Sequence, residues 1–188
     1  MTRKFNSVLI IGMGLIGSSI SRALVEKHVA NSVYGLDSDD KIIKKCHDLN
    51  LLAQGETNLK NFDLQFDLII ICSPLSTYKS IFSSLSDFVA QPTLITDVGS
   101  TKMSTISDFK NTVTNKNITF VPSHPIAGLE KSGPEYGFSK LFENRYCILT
   151  PYEKNVAATS SISEMWKSIG MTIEIMEASR HDRVLAMT

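Results

Sequence analysis

The chain has 188 residues, 43% of them apolar, enough to bury one good core with a small appendage. Its 19 basic and 19 acidic residues balance and no Lys/Arg stripe runs along it, which argues against nucleic acid or an anionic membrane as partner. No apolar run reaches membrane-spanning length, and Met1–Asn6 lead straight into a strand pattern without a signal-peptide core. Cys46, Cys72 and Cys147 are odd in number and lack C-x-x-C spacing. That is the pattern of reduced thiols, not of disulfides or a metal site, so a soluble cytoplasmic protein without a metal is expected.

In chain order, Val8–Ile11 reads as a short buried parallel strand, Gly12 to Gly17 as a tight turn, and Leu15–Lys27 as a helix. Ile16, Ile20, Ala23 and Leu24 mark the apolar face of that helix. This is G-x-G-x-x-G in the context that gives it meaning, a strand before and a helix after. Gly12 allows the turn, Gly14 lets a pyrophosphate approach the backbone, and Gly17 lets helix and strand pack closely. The first-turn amides, those of Leu15, Ile16 and Gly17, with the positive end of the helix dipole, would hold the phosphates. A second strand, Ser32–Leu36, ends in Asp37 at about the 20-residue spacing of the acid that binds an adenosine ribose. A carboxylate there accepts from the ribose hydroxyls and repels a 2′-phosphate, so NAD is expected over NADP. The alternative is that Asp37 only caps a helix starting near Ser38–Asp40.

Ile42, Ile43, Cys46 and Leu49 give the next amphipathic helix, and a polar connection follows through Asn61. Phe66–Ile71 is a strand too apolar to be half exposed, ended by Cys72-Ser73-Pro74. Tyr78, Ile81, Phe82, Leu85 and Phe88 mark a helix, Thr93–Thr96 a strand, and a helix follows Lys102. Further strands are read at Ile118–Val121, Arg145–Leu149 and Met171–Ile175, with a helix through Ala158, Ile162, Met165, Trp166 and Ile169 between the last two. Strands alternating with helices imply an α/β, doubly wound and mostly parallel sheet of the Rossmann kind, with ligands at the carboxyl ends of its strands.

Three loops fall at strand ends. Ser73 and Pro74 leave backbone groups free beside the cofactor ribose, or simply terminate the strand. Gly99-Ser100-Thr101-Lys102 follows the strand expected beside a nicotinamide, with Ser100 either in the active site or an N-cap of the next helix. The third runs from Ser123 to Gly133 and opens with His124, directly after a buried strand in a Pro/Gly-shaped loop. An imidazole titrating near neutrality can take a proton from a substrate hydroxyl while hydride leaves the same carbon. His28 and His47 fall on helix or turn surfaces.

Gly-Met-Gly-Leu-Ile-Gly-Ser (12–18), Asp-Val-Gly-Ser-Thr-Lys (97–102) and His-Pro-Ile-Ala-Gly-Leu-Glu-Lys-Ser-Gly (124–133) together resemble the prephenate dehydrogenases and their arogenate- and dual-substrate relatives. Leu141–Arg145 and His181-Asp182 also look like that family. The resemblance implies NAD-dependent oxidative decarboxylation of prephenate in tyrosine biosynthesis. His124 would be the base, helped by Ser100, and the product would be 4-hydroxyphenylpyruvate, or tyrosine from arogenate. It further implies that Glu130 guards the active-site mouth and that His181 and Asp182 flank the substrate. Lys102, Lys131, Arg145, Arg180 and Arg183 are possible partners for the substrate carboxylates, with Thr101 beside Lys102 in the same loop.

The family normally continues from the His-Asp segment into Ser-His-Leu-Pro-His and an all-helical domain, which dimerises and supplies an arginine to the substrate. Residues 1–176 are accordingly read as the dinucleotide-binding domain and 177–188 as the severed beginning of the helical one, with too little of it to pack on anything; the alternative is a short C-terminal helix docked on the sheet. These residues alone are expected to bind NAD with little turnover, the full-length parent being a homodimer. Two rivals are another Rossmann-type dehydrogenase with its acid/base on a later domain, and a non-catalytic NAD-binding module.

Overall fold

In a computed structural model, residues 5–187 are described; Met1–Lys4 and Thr188, the outer ends of the expected lead-in and terminal helix, lie outside them. Strands β1 (Phe5–Ile11), β2 (Ala30–Leu36), β3 (Gln54–Glu56), β4 (Leu68–Ile71), β5 (Thr93–Asp97) and β6 (Ile118–Phe120) form one sheet in the order β3-β2-β1-β4-β5-β6. Every pairing in it is parallel. Helices α1 (Leu15–Glu26), α2 (Asp40–Asp48), α3 (Tyr78–Phe88) and α4 (Met103–Thr112) connect successive strands. The strand order reverses between β1 and β4, and such a switch point opens a crevice at the carboxyl ends of the strands.

The unbroken apolar run of β1 follows from its position in the middle of this sheet. Val8 and Ile10 face a core that includes Ile20 and Leu24 of α1, while Leu9 and Ile11 face the opposite core with Phe82 and Leu85 of α3. Both faces are covered, so period-2 alternation between apolar and polar residues disappears. On the second face Phe82, Phe109 and Phe120 meet pairwise with centroids 4.9–5.3 Å apart, which locks α3 and α4 over β6.

Four expectations are corrected. Ser123–Pro125, read as loop, is a strand (β7), and the two late strands do not extend the main sheet. Tyr146–Leu149 (β8) pairs antiparallel with β7 and parallel with Thr172–Ile175 (β9), making a second, three-stranded sheet backed by helix α5 (Val156–Ser168). Trp166 of α5 is wholly buried and donates Nε1–H to Ser123 Oγ at 3.1 Å, tying α5 to β7, while Ser123 N donates to Asp97 Oδ1 at 3.0 Å and joins β7 to the end of β5. The polar connection before Asn61 contains β3, an edge strand of three residues whose outer side needs no apolar cover. Finally, the terminal helix α6 (Ala178–Leu185) does find a partner: its first turns pack on α4, and His181 is fully buried.

Candidate functional site

The glycine turn is built as the motif requires. Gly12 has φ +95°, and a Cβ there would lie 2.7 Å from the Cys72 carbonyl carbon of β4's end. A Cβ on Gly17 would lie 2.0 Å from the Gly12 oxygen, so only glycine lets α1 start this close to β1. Above Gly14 there is nothing within 4 Å, an open approach to backbone. The first α-helical bond of α1 runs from Ser18 N to Gly14 O, which leaves the amides of Leu15, Ile16 and Gly17 ahead of it for an anion. A cleft of about 470 Å³ opens here, lined among others by Gly12, Gly14, Asp37, Ser73, Pro74 and Thr77. Of the expected cofactor residues, Gly12, Gly14, Asp37, Ser73 and Pro74 thus line one cleft, and Thr77 joins them without having been expected.

Asp37 does not cap α2. That task falls to Asp39, whose carboxylate accepts from Lys41 N at 2.9 Å. Asp37 Oδ2 instead accepts from Met13 N at 2.8 Å and Oδ1 from Asp39 N at 3.0 Å, which holds the carboxylate on the rim of the cleft. Ser73 Oγ pairs with Thr77 Oγ1 at 2.9 Å, fixing the turn that Pro74 begins.

Below the second loop lies a buried ion pair that corrects the reading of Lys102. Its side chain is fully buried, and Nζ donates to Asp97 Oδ2 at 2.5 Å and to Ser123 O at 2.7 Å. The ammonium therefore points into the protein and is not presented to a substrate carboxylate. Burial pushes it below the ordinary lysine value, and the Asp97 carboxylate opposes that shift. Asp97 also accepts from Gly99 N and Ser123 N, so the pair welds the end of β5 to the start of β7. Nothing in the spacing singled out Asp97; an acid closing an otherwise apolar strand was the available signal.

Ser100 and Thr101 are exposed on that loop, and Thr101 Oγ1 pairs with Ser104 Oγ at 2.8 Å. Ser100 is not the cap of α4. Asp182 of α6 takes that place, accepting from Lys102 N at 2.8 Å through Oδ1 and from Met103 N at 2.9 Å through Oδ2. Burial raises the Asp182 carboxyl, but those two amides and then the His181 ring outweigh it and hold it below the usual range.

His124 stands on β7, opposite Ile148, immediately beyond the Asp97–Lys102 weld. Its Nδ1 lies 2.9 Å from His181 Nε2, and His181 Nδ1 lies 2.7 Å from Asp182 Oδ1. The ring is partly exposed, and Nε2 has no hydrogen-bond partner among the described residues. The expected titration near neutrality is corrected: burial first, then the Lys102 ammonium, push His124 down to about 4. The imidazole is therefore neutral, able to accept a proton, across the physiological range. Glu130 is exposed in the irregular segment after β7, and Lys131 lies over the Tyr136 ring at 5.0 Å. Arg145, Arg180 and Arg183 are exposed, the last two flanking buried His181 on α6. The three cysteines are free, and burial pushes Cys46 up to about 11, away from reactivity.

A glycine turn facing a cleft at the sheet's switch point, with an acid on its rim, is the geometry of a dinucleotide-binding α/β domain. The family description "Prephenate dehydrogenase, nucleotide-binding domain" matches residues 20–175. The chain is 34% identical over 185 residues to the cyclohexadienyl dehydrogenase of Zymomonas mobilis, covering 98% of this chain and 62% of that protein. It is 29% identical over 178 residues to the prephenate dehydrogenase of Lactococcus lactis, covering 94% of this chain and 48% of that protein. Prephenate dehydrogenase from A. aeolicus, solved with hydroxyphenyl propionate and NAD⁺, superposes with a TM-score of 0.90 at 32% identity, over 98% of this chain and 64% of that one. The chain belongs to the prephenate dehydrogenase family and corresponds to its nucleotide-binding domain. It spans about 62% of the length of the first of these relatives. Among the described residues, no helix is long and apolar enough to cross a membrane.

Proposed function

We propose that this chain holds NAD and supplies the general base for oxidative decarboxylation of prephenate to 4-hydroxyphenylpyruvate. The observation that carries the reading is His124: an imidazole held by a buried partner at Nδ1, with no partner for Nε2 among the described residues, just past the carboxyl ends of the sheet. The residues fit the cofactor, because Gly14 leaves its backbone open and Asp37 stands on the rim of the same cleft. NAD⁺, when bound, accepts hydride from the ring carbon that bears the hydroxyl. His124 takes the hydroxyl proton, and the ring carboxylate leaves as CO₂ while the ring becomes aromatic. Ser100 and Thr101 would face the substrate from the β5–α4 loop, and Glu130 its mouth. Arogenate is not favoured, since the relatives above carry prephenate or cyclohexadienyl names.

The same reading takes residues 177–188 as the opening of a helical unit, the full-length protein as a homodimer, and the cytoplasm as its place. Binding is tested by titrating NAD⁺ and NADP⁺ into the chain and into Asp37→Ala. NAD⁺ is expected to bind more tightly than NADP⁺. The variant is expected to lose about ten- to a hundredfold in NAD⁺ affinity, the worth of hydrogen bonds to a charged group, and to narrow the preference. A loop merely loosened by loss of the Met13 contact would weaken both cofactors alike. Equal affinities in the unaltered chain would contradict the reading.

A further inference from the structure

Four groups stand in a row from α4 through α6 to β7: the amides of Lys102 and Met103, the Asp182 carboxylate, the His181 ring and the His124 ring. Each junction fixes the next. Both Asp182 oxygens are held by backbone amides, so the carboxylate cannot turn away, and a carboxylate only accepts. His181 must then place its proton on Nδ1, 2.7 Å from Asp182, and neutral His181 offers a lone pair at Nε2. Facing that lone pair at 2.9 Å, His124 Nδ1 has one role, donor. Its proton is thereby assigned to Nδ1, and Nε2, which has no partner among the described residues, is the basic nitrogen.

We infer that His181 is a positioning residue, which sets His124 in its Nδ1–H tautomer and keeps Nε2 as the proton acceptor, with Asp182 giving the row its direction. The consequence for turnover rests on the oxidoreductase reading; the tautomer itself does not. The reverse order would need His181 as an imidazolium donating from both nitrogens. With His181 neutral, that order would turn a bare Nδ1 lone pair on Asp182 Oδ1 at 2.7 Å, two acceptors facing each other. The row also explains why a polar ring is fully buried at the head of α6. Docking of α6 on α4 is what completes the base.

The test is a long-range ¹H–¹⁵N imidazole correlation spectrum of the chain near neutral pH, with no substrate or cofactor present. His124 is expected to show a protonated Nδ1 and an unprotonated Nε2. In His181→Leu that single pattern is expected to give way to exchange between the two tautomers. His181→Gln, whose side-chain carbonyl can accept from Nδ1–H, is expected to restore it. In the enzyme from the full reading frame, His181→Leu is expected to lower kcat at least ~10-fold, part of the ~10²–10⁴ that a general base supplies. His181→Gln should recover part of that loss.

A protonated Nε2 on His124 in the unaltered chain overturns the inference, and so does one tautomer pattern common to all three proteins. Should His181→Leu not fold, the spectrum of the unaltered chain decides by itself. Failure of the dehydrogenase reading would show in the NAD⁺ titration and leave the tautomer result standing.

Discussion

Replacing His124 with asparagine is expected, on the proposed function, to lower prephenate turnover about 10²–10⁴-fold, the usual worth of a positioned general base, with NAD⁺ affinity retained. Asparagine approximates the imidazole's size and its amide can still donate toward His181, so the buried row keeps its last contact. What it lacks is an aromatic nitrogen lone pair. The ring lies outside the residues that line the glycine cleft, which is why cofactor binding should survive. The pH profile supplies the second half of this result. Burial first, and then the Lys102 ammonium, lower the affinity of His124 for a proton. The basic form then persists to lower pH, and the acidic limb of kcat/KM falls below the ordinary histidine value of about 6.5. A limb at or above that value, or unchanged turnover in His124→Asn, would remove this histidine from the reaction.

Lys102→Met is expected to destabilise the fold by about 3–5 kcal/mol, because it leaves the Asp97 carboxylate buried and unpaired. Losing the ammonium also frees the Ser123 carbonyl, the last anchor before His124. The double variant Asp97→Leu with Lys102→Met removes both charges and should regain part of the loss, though the amides of Gly99 and Ser123 lose their acceptor. Urea unfolding midpoints of the single and double variants measure this. A change below about 1 kcal/mol for Lys102→Met, the worth of an exposed pair, would mean that the weld contributes nothing.

The parts of this molecule legible in the sequence are those where local pattern and chemistry coincide. The strand, glycine turn and helix of residues 8–26 are specified by neighbours, and so is Asp37 at the end of β2. Pairing is another matter. Pro125 carries no backbone N–H and reads as loop, yet it sits on β7, an edge strand where a missing donor is tolerated. Whether Tyr146–Leu149 joins the main sheet or starts another depends on a partner more than 20 residues away, which periodicity does not encode. The site shows the same division. His124 was visible from its loop, but its partner His181 comes 57 positions later and Asp182 is the next residue. Lys102 looked like a free cation because a charged residue in a polar loop normally faces water. Only the three-dimensional placement of Asp97 beneath the loop turns it inward.

A structure of the chain with NAD⁺ bound is the most direct measurement of whether His124 serves a hydride transfer. The expected result is a nicotinamide ring placed so that a carbon about 3–3.5 Å from its reactive position carries a hydroxyl within hydrogen-bond reach of His124 Nε2. A ring resting where no such carbon reaches that nitrogen, or a dinucleotide bound away from Gly14 and Asp37, would contradict it.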